Sequence, residues 1–311
     1  MLFRSKVRLA LGATLLGDGY FAYMPFNPEL DRPACTYVDP TTRLPHAELD
    51  EFKAGIANRW GYLGVARGDA LRLPQTRGPE LLANGDFERD IAGVTITTLG
   101  RSRAALARDT TTAARGSASL KVAITQLDPD PADNKVTVTL GTFAARRGAE
   151  YTLRLRVAAD PKYQAVDPAL AGLPRRVAFA VEAAGVPATQ APSQDVMADQ
   201  TWREYSLTFV APADDGAAKL VVQLGMEAGE VWLDDLRLQA GSGDVFARRF
   251  ERGVVLVNAS LQPVAFDLAA LFPGMALKRL LGTQDPGVNT GATEARTTSV
   301  PGRDALILIT E

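Results

Sequence analysis

The sequence predicts a mainly β protein built around a two-sheet sandwich, and two observations predict it. From about Leu81 to Gln239, short runs of alternating apolar and polar residues recur between Gly, Pro and Asp, which is the pattern of half-buried strands. The same stretch has hardly a helical period in it. KVTVTL places Val136, Val138 and Leu140 on one face between threonines, and YTLRLRV does the same with Tyr151, Leu153, Leu155 and Val157 against Thr152, Arg154 and Arg156. Val177, Phe179 and Val181 follow, then Tyr205, Leu207 and Phe209, then Leu220, Val222 and Leu224. Those strands suffice for two packed sheets.

EVWLDDLRLQ breaks its own alternation, because Val231 and Leu233 fall on one parity and Leu236 and Leu238 on the other. A bulge at Asp234 and Asp235 reconciles the two and turns a carboxylate away from the regular pleat. Residues 6–70 read differently: an apolar, strand-like run (LALGATLLG), an aromatic loop (DGYFAY) and then HAELDEFKAGIANRWGYLG, helical in part. From Val245, VFARRFERGVVLVNAS, VAFDLAAL and RDALILIT read as strands of a small antiparallel domain. LRLPQTRGPE and QAGSGD are turn-rich seams. The expected division is therefore 1–70, 79–240 and 245–311, with the middle piece inserted between the outer two.

Composition sets the outer limits. The chain has 311 residues, 46% apolar, enough for about two domains. Its 34 basic and 36 acidic residues leave a formal net charge of −2, so no bulk field draws it to nucleic acid or an anionic membrane. A neutral partner is expected. Cys35 is the single cysteine and His46 the single histidine, which excludes an intrachain disulfide and a His-rich metal site. Arg4, Lys6 and Arg8 precede the first apolar run, but no A-x-A site follows it. The run is expected to be part of a fold rather than a signal peptide, and it is too short to span a bilayer.

The middle region opens with ELLANGDFE, continues through GSASLKV and TWREYSLTFVAP, and closes with GEVWLDDLRL. In this order the four elements resemble the CenC-type carbohydrate-binding modules, the group of families four and nine. The resemblance implies a jelly-roll sandwich that binds soluble or amorphous polysaccharide. It also implies a structural calcium held by Glu88 and Asp235, a suggestion that agrees with the repulsion two acids on adjacent strands feel unless a cation or proton intervenes. The flanking RLALGATLLGDGYFAY, NRWGYLGVARGDA, RRFERGVVLVNAS and RDALILI resemble the end of a (β/α) barrel and the trailing β-domain of a barrel group of glycoside hydrolases. This implies an extracellular or periplasmic protein. A whole barrel needs about eight βα units, and the stretch before the module supplies about one, so the chain is expected to be a truncated hydrolase.

Glycoside hydrolysis usually needs two facing carboxylates. Asp18, between Gly17 and Gly19 after the apolar run, is the one catalytic candidate, with a turn or N-cap aspartate as the alternative. For a sugar, Tyr163 offers a stacking ring, while Arg154, Arg156 and Gln223 stand at outward parity to bond hydroxyls. Trp202 belongs to a core-strand motif, and Trp232 faces either way. The segment after NGDFE lacks the tryptophan that relatives carry there. Three functions remain open: a carbohydrate-binding module attached to remnants of its enzyme, a hydrolase fragment acting with a missing barrel portion, and an adhesion sandwich without a sugar site.

Overall fold

The computed structural model describes residues 2–17, 26–27, 32–33, 51, 63–130, 135–160, 164–165, 173–282 and 285–310. In chain order the elements are α1 (Leu2–Leu16), β1 (Phe26–Asn27), β2 (Arg32–Pro33), β3 (Leu71–Arg72), β4 (Thr95–Thr98), β5 (Arg103–Asp109), β6 (Ser119–Gln126) and β7 (Val136–Ala145). There follow β8 (Glu150–Ala159), β9 (Gln164–Ala165), β10 (Arg175–Glu182), β11 (Ser193–Ala198), β12 (Arg203–Val210), β13 (Asp215–Leu224) and β14 (Glu227–Ala240). The last are β15 (Val245–Phe250), β16 (Gly253–Asn258), β17 (Val264–Asp267), β18 (Leu277–Arg279), β19 (Thr297–Val300) and β20 (Asp304–Thr310). They form two compact units, Gln75–Gly243 and the remainder, Met1–Pro74 with Asp244–Glu311.

The unit Gln75–Gly243 is an antiparallel sandwich. One sheet runs β11-β10-β13-β7-β4 and the other β12-β8-β14-β6-β5, with β9 added beside β14. The chain changes sheets repeatedly, from β6 to β7, back at β8, and again between β11 and β12, β12 and β13, and β13 and β14, which is jelly-roll behaviour. The alternation read from the sequence is what fills the space between the sheets. Val136, Val138, Leu153, Leu155, Val177, Phe179, Leu220 and Leu233 are all inside one apolar cluster. Each such side chain contributes about 1.5–3 kcal/mol relative to an exposed one.

In β14 the expected bulge is present. Asp234 pairs with Arg156 and Arg237 with Arg154, so three steps along β14 match two along β8. Asp235 takes a left-handed backbone, φ 49°, uncommon for a residue with a side chain. The consequence is that Leu233, Leu236 and Leu238 all reach the core.

The NGDFE turn seats against this bulge. Leu236 N–H donates to the Gly85 carbonyl (2.9 Å), and the Leu236 carbonyl lies 2.1 Å from where a Cβ on Gly85 would stand. Only glycine fits there. Phe87, two residues on, is 1% exposed in the core. Glu88 takes the Ser117 N–H (2.9 Å) and hydroxyl (2.7 Å), and the preceding Gly116, at φ +63°, would put a Cβ 2.1 Å from the Glu88 Oε1. Asp234 in turn accepts from the Ala114 and Arg115 amides, both at 2.8 Å. Three sequence elements up to about 150 residues apart therefore lock into one junction through side-chain carboxylates that accept from backbone N–H groups.

The second unit corrects the reading of the N-terminal run. LALGATLL is helical, not a strand: α1 buries Val7, Arg8 and Leu11, a stripe at helical spacing. Its leucines and alanines are good helix formers with few β-branched neighbours. A Cβ on Gly12 would stand 2.7 Å from the Ala305 Cβ and 2.9 Å from Val257, so the glycine lets α1 lie close on β16 and β20. Buried Arg8 donates to Asp304 (2.9 and 2.6 Å) and Asp285 (2.6 Å). Arg248 of β15 donates to the Leu15 and Leu16 carbonyls (2.9 and 3.0 Å), capping the helix end. The sheet beneath runs β18-β20-β16-β15-β3, with β17-β19 as a separate pair, in keeping with the small antiparallel domain read downstream of Val245. A barrel strand ahead of Asp18 is thereby ruled out, and no described helix is long and apolar enough to cross a membrane.

Replacing Gly85 with Ala tests the junction. The added methyl must push the Leu236 carbonyl away, and the sandwich should lose about 1–3 kcal/mol in a urea melt. An unchanged midpoint would show that the bulge yields freely.

Candidate functional site

The parity that sends Val177 and Phe179 inward sends Arg176 and Ala178 outward, and the register carries the rest. Ala178 stands opposite Gln223, Gln223 opposite Thr137, and Thr137 opposite Thr97. This row crosses the outer face of the β11-β10-β13-β7-β4 sheet. A groove of about 420 Å³ lies along it, lined by Lys135, Thr137, Arg176, Ala178, Gln223 and Met226, with the turn at Ala188 and Thr189 as one wall. A second depression of about 370 Å³, reaching Asp215 and Lys219, shares Glu182 and Ala188 with it. From Arg176 to Glu182 the floor follows β10 for six steps, about 20 Å at strand rise.

The groove presents uncommitted polar groups. Gln223 and Lys135 are exposed, and neither side chain bonds another described residue. Arg176 is tied down: its Nε donates to Asp195 (2.8 Å) and an Nη approaches the Met226 sulfur (3.8 Å). Asp215 accepts from the Ala184 (2.7 Å) and Ala217 (2.9 Å) amides, which hold its carboxyl below the usual range despite the opposing pull of desolvation. It therefore shapes the groove end as an anion. No aromatic side chain among the described residues lines the groove. Lys135, Arg176 and Met226 were not picked out from the sequence. Parity alone could have found Arg176, whereas Met226 follows the end of its strand and carries no periodic signal.

The residues expected to bind sugar do not come together. Gln223 lines the groove, but Arg154 and Arg156 stand on β8 in the other sheet. Parity distinguishes inside from outside and does not say which sheet's outside. Arg154 and Arg156 both donate to Glu204, at 3.1 and 2.8 Å. Tyr163 and Asp18 lie outside the described residues, as do Tyr20, Tyr23, Trp60, Cys35 and His46. Trp232 is half-buried, its Nε1 donating to Asp109 (2.8 Å). Burial works against the charge of Asp109, but bonds from the Thr111 hydroxyl, Trp232 and the Thr111 amide outweigh it and hold the carboxyl at about 2.

Around Glu88 and Asp235 the donors do not make an oxygen cage. Glu88 is occupied by Ser117 and Ala118 N–H groups. Asp235 is ringed by cations: Arg237 at 2.9 Å, Arg115 at 3.5 Å and Arg156 at 3.9 Å. Among the described residues no three acidic, histidine or cysteine side chains gather in one place. Guanidinium groups thus surround the carboxylate that the resemblance assigns to a calcium ion.

No family model and no curated protein matches the sequence. Solved structures with a similar trace include one described as "CBM4 structure and function", with 18% identity and a TM-score of 0.38 over 51% of this chain and 99% of that one. The TmCBM61 structure with β-1,4-galactotriose has 15% identity and a TM-score of 0.34, over 52% and 98%. A bacteriophage CBA120 tailspike domain has 11% identity and a TM-score of 0.38, and the match spans 52% of this chain but 21% of the tailspike. Likeness at this level assigns no family and no ligand.

The charge ring around Asp235 has a measurable consequence. Melting temperature should be the same in calcium and in chelator, since a ligand stabilises only what it binds. A calcium-dependent rise that Asp235→Ala abolishes would establish a cation site there.

Proposed function

We propose that the sandwich unit is a carbohydrate-binding module and that the groove along β10 and β13 holds a linear, neutral glycan chain. The observation that supports this most is the form of the groove. Two adjoining depressions follow one strand for about 20 Å, and the volume of the first lies within the usual range for ligand sites, about 300–1,000 Å³. Gln223 contributes a donor and an acceptor, Thr137 a hydroxyl and Lys135 three donors, a mixed set that suits sugar hydroxyls and gives no strong preference for an anion. Ala178 keeps the floor low enough for a ring to lie flat.

Binding of this kind is weak. Ring stacking on an aromatic face normally supplies much of a sugar site's energy, and the described lining has none. The hydrogen bonds offered in its place largely exchange for those the sugar already makes with water. A module of this sort contributes through proximity, holding an attached enzyme or surface near its polymer. The resemblance of the segments after Val245 to the β-domain that trails a barrel hydrolase fits such an attachment. The helix of Leu2–Leu16 removes the strand-end placement that singled out Asp18, which itself lies outside the described residues.

The test is affinity electrophoresis of the whole chain through gels containing β-1,4-galactan, xylan or mixed-linked β-glucan. Retardation by at least one polymer is expected, and Gln223→Ala with Thr137→Ala should weaken it by about tenfold, the equivalent of roughly 1.4 kcal/mol. Unretarded migration in every gel, or retardation indifferent to both substitutions, would remove the groove from consideration and favour an adhesion role.

A further inference from the structure

We propose that the outer face of the opposite sheet, around β8 and β14, is a second binding surface, specific for an acidic glycan whose carboxylates are held by Arg154, Arg156, Arg237 and Arg115. This surface stands on its own residues and does not depend on the groove. Arg154 faces Ser206 on one side and Arg237 on the other, while Arg156 faces Glu204 and Asp234. The β14 bulge supplies the geometry: the extra residue turns Asp235 out of the pleat at φ 49°, between Arg156, Arg115 and Arg237.

Four guanidinium groups thus gather around two surface carboxylates, Glu204 and Asp235. Asp234 sits behind them, 1% exposed and occupied by the Ala114 and Arg115 amides. The local balance is positive in a chain whose formal net charge is −2. Each guanidinium carries five N–H donors, and Arg154 and Arg156 each give one of theirs to Glu204. The Arg156 Nε, though buried, has no hydrogen-bond partner among the described residues, and the Asp235 carboxylate is 3.9 Å from it. Arg154, Arg237 and Arg115 side chains are 51%, 54% and 61% exposed. Their remaining donors therefore face solvent, positioned by the two acids they share.

That arrangement selects the ligand. A planar fork of N–H groups fits a carboxylate with two parallel bonds, and Arg154 and Arg156 repeat the fork about 6.6 Å apart along one strand. The interspersed Glu204 and Asp235 can accept from hydroxyls, which a uronate polymer offers between its acid groups. They disfavour duplex DNA, which presents a charge about every 1.7 Å of its axis and would press phosphates against both carboxylates.

The experiment is titration calorimetry of the full chain with polygalacturonate, with fully methyl-esterified pectin as the uncharged counterpart, and with duplex DNA. Binding to polygalacturonate is expected, weakening as salt rises and absent with the ester. Arg154→Ala with Arg237→Ala should reduce it by about tenfold or more, and Arg154→Lys with Arg237→Lys, which keeps the charge and loses the fork, should fall between. Gln223→Ala, in the groove, should leave it unchanged. Thermal melts accompany each variant, and the lysine pair carries the test if the alanine pair folds poorly. No binding to polygalacturonate, binding indifferent to both arginine pairs, dependence on Gln223 instead, or tighter binding to DNA would each overturn the proposal.

Discussion

A single close approach organises the sandwich: the Leu236 carbonyl occupies the space that a side chain on Gly85 would fill. The approach exists because β14 carries one residue too many for its partner, and the surplus is absorbed by the left-handed turn at Asp235. Without the bulge, Leu236 and Leu238 would point into water, at about 1.5–3 kcal/mol each. With it, the Leu236 carbonyl, next after the bulged Asp235, comes to lie against the NGDFE turn. Glu88 and Asp234 then tie the loop before β6 to the same place. The unusual backbone at Asp235 is held by bonds from several directions, which is how a strained conformation persists.

The core of this architecture was legible in the sequence because strands announce their faces. Tyr151, Leu153, Leu155 and Val157 alternate strictly and all point inward, and the parity break in EVWLDDLRLQ located the bulge. Other features were beyond that signal. The LALGATLL run is apolar in both a strand and a helix reading, and only the tertiary setting, with Gly12 against Ala305 and Arg8 against Asp304, settles it as a helix. Arg154, Arg156 and Gln223 share outward parity but belong to different sheets, so a site combining them could not form. The resemblance assigns Glu88 and Asp235 to a cation, and a sequence shows such charges without their spatial neighbours. The arginines around Asp235 come from β8, β14 and the loop before β6, and only their spatial meeting changes the chemistry.

The two outer faces of the sandwich carry different side chains for the same reason. On the β10–β13 side, small residues such as Ala178 leave a trough with amide, hydroxyl and ammonium groups at its rim. On the β8–β14 side, the bulge gathers guanidinium groups around a pair of acids, and the depression among them holds only about 10 Å³. A neutral chain is read by shape and exchangeable hydrogen bonds, and an acidic one by charge and fork geometry. One core can support both, since outward positions are free to vary while the inward ones are fixed by packing.

The central claim is that the β10–β13 groove is where a neutral glycan lies, and amide chemical-shift mapping of the full chain with a soluble β-1,4-linked oligosaccharide tests it most directly. The account predicts shifts concentrated at Lys135, Thr137, Arg176, Ala178 and Gln223 that saturate together with added sugar. Saturable shifts confined to the opposite sheet or to the unit containing α1, with the groove amides unmoved, would contradict it.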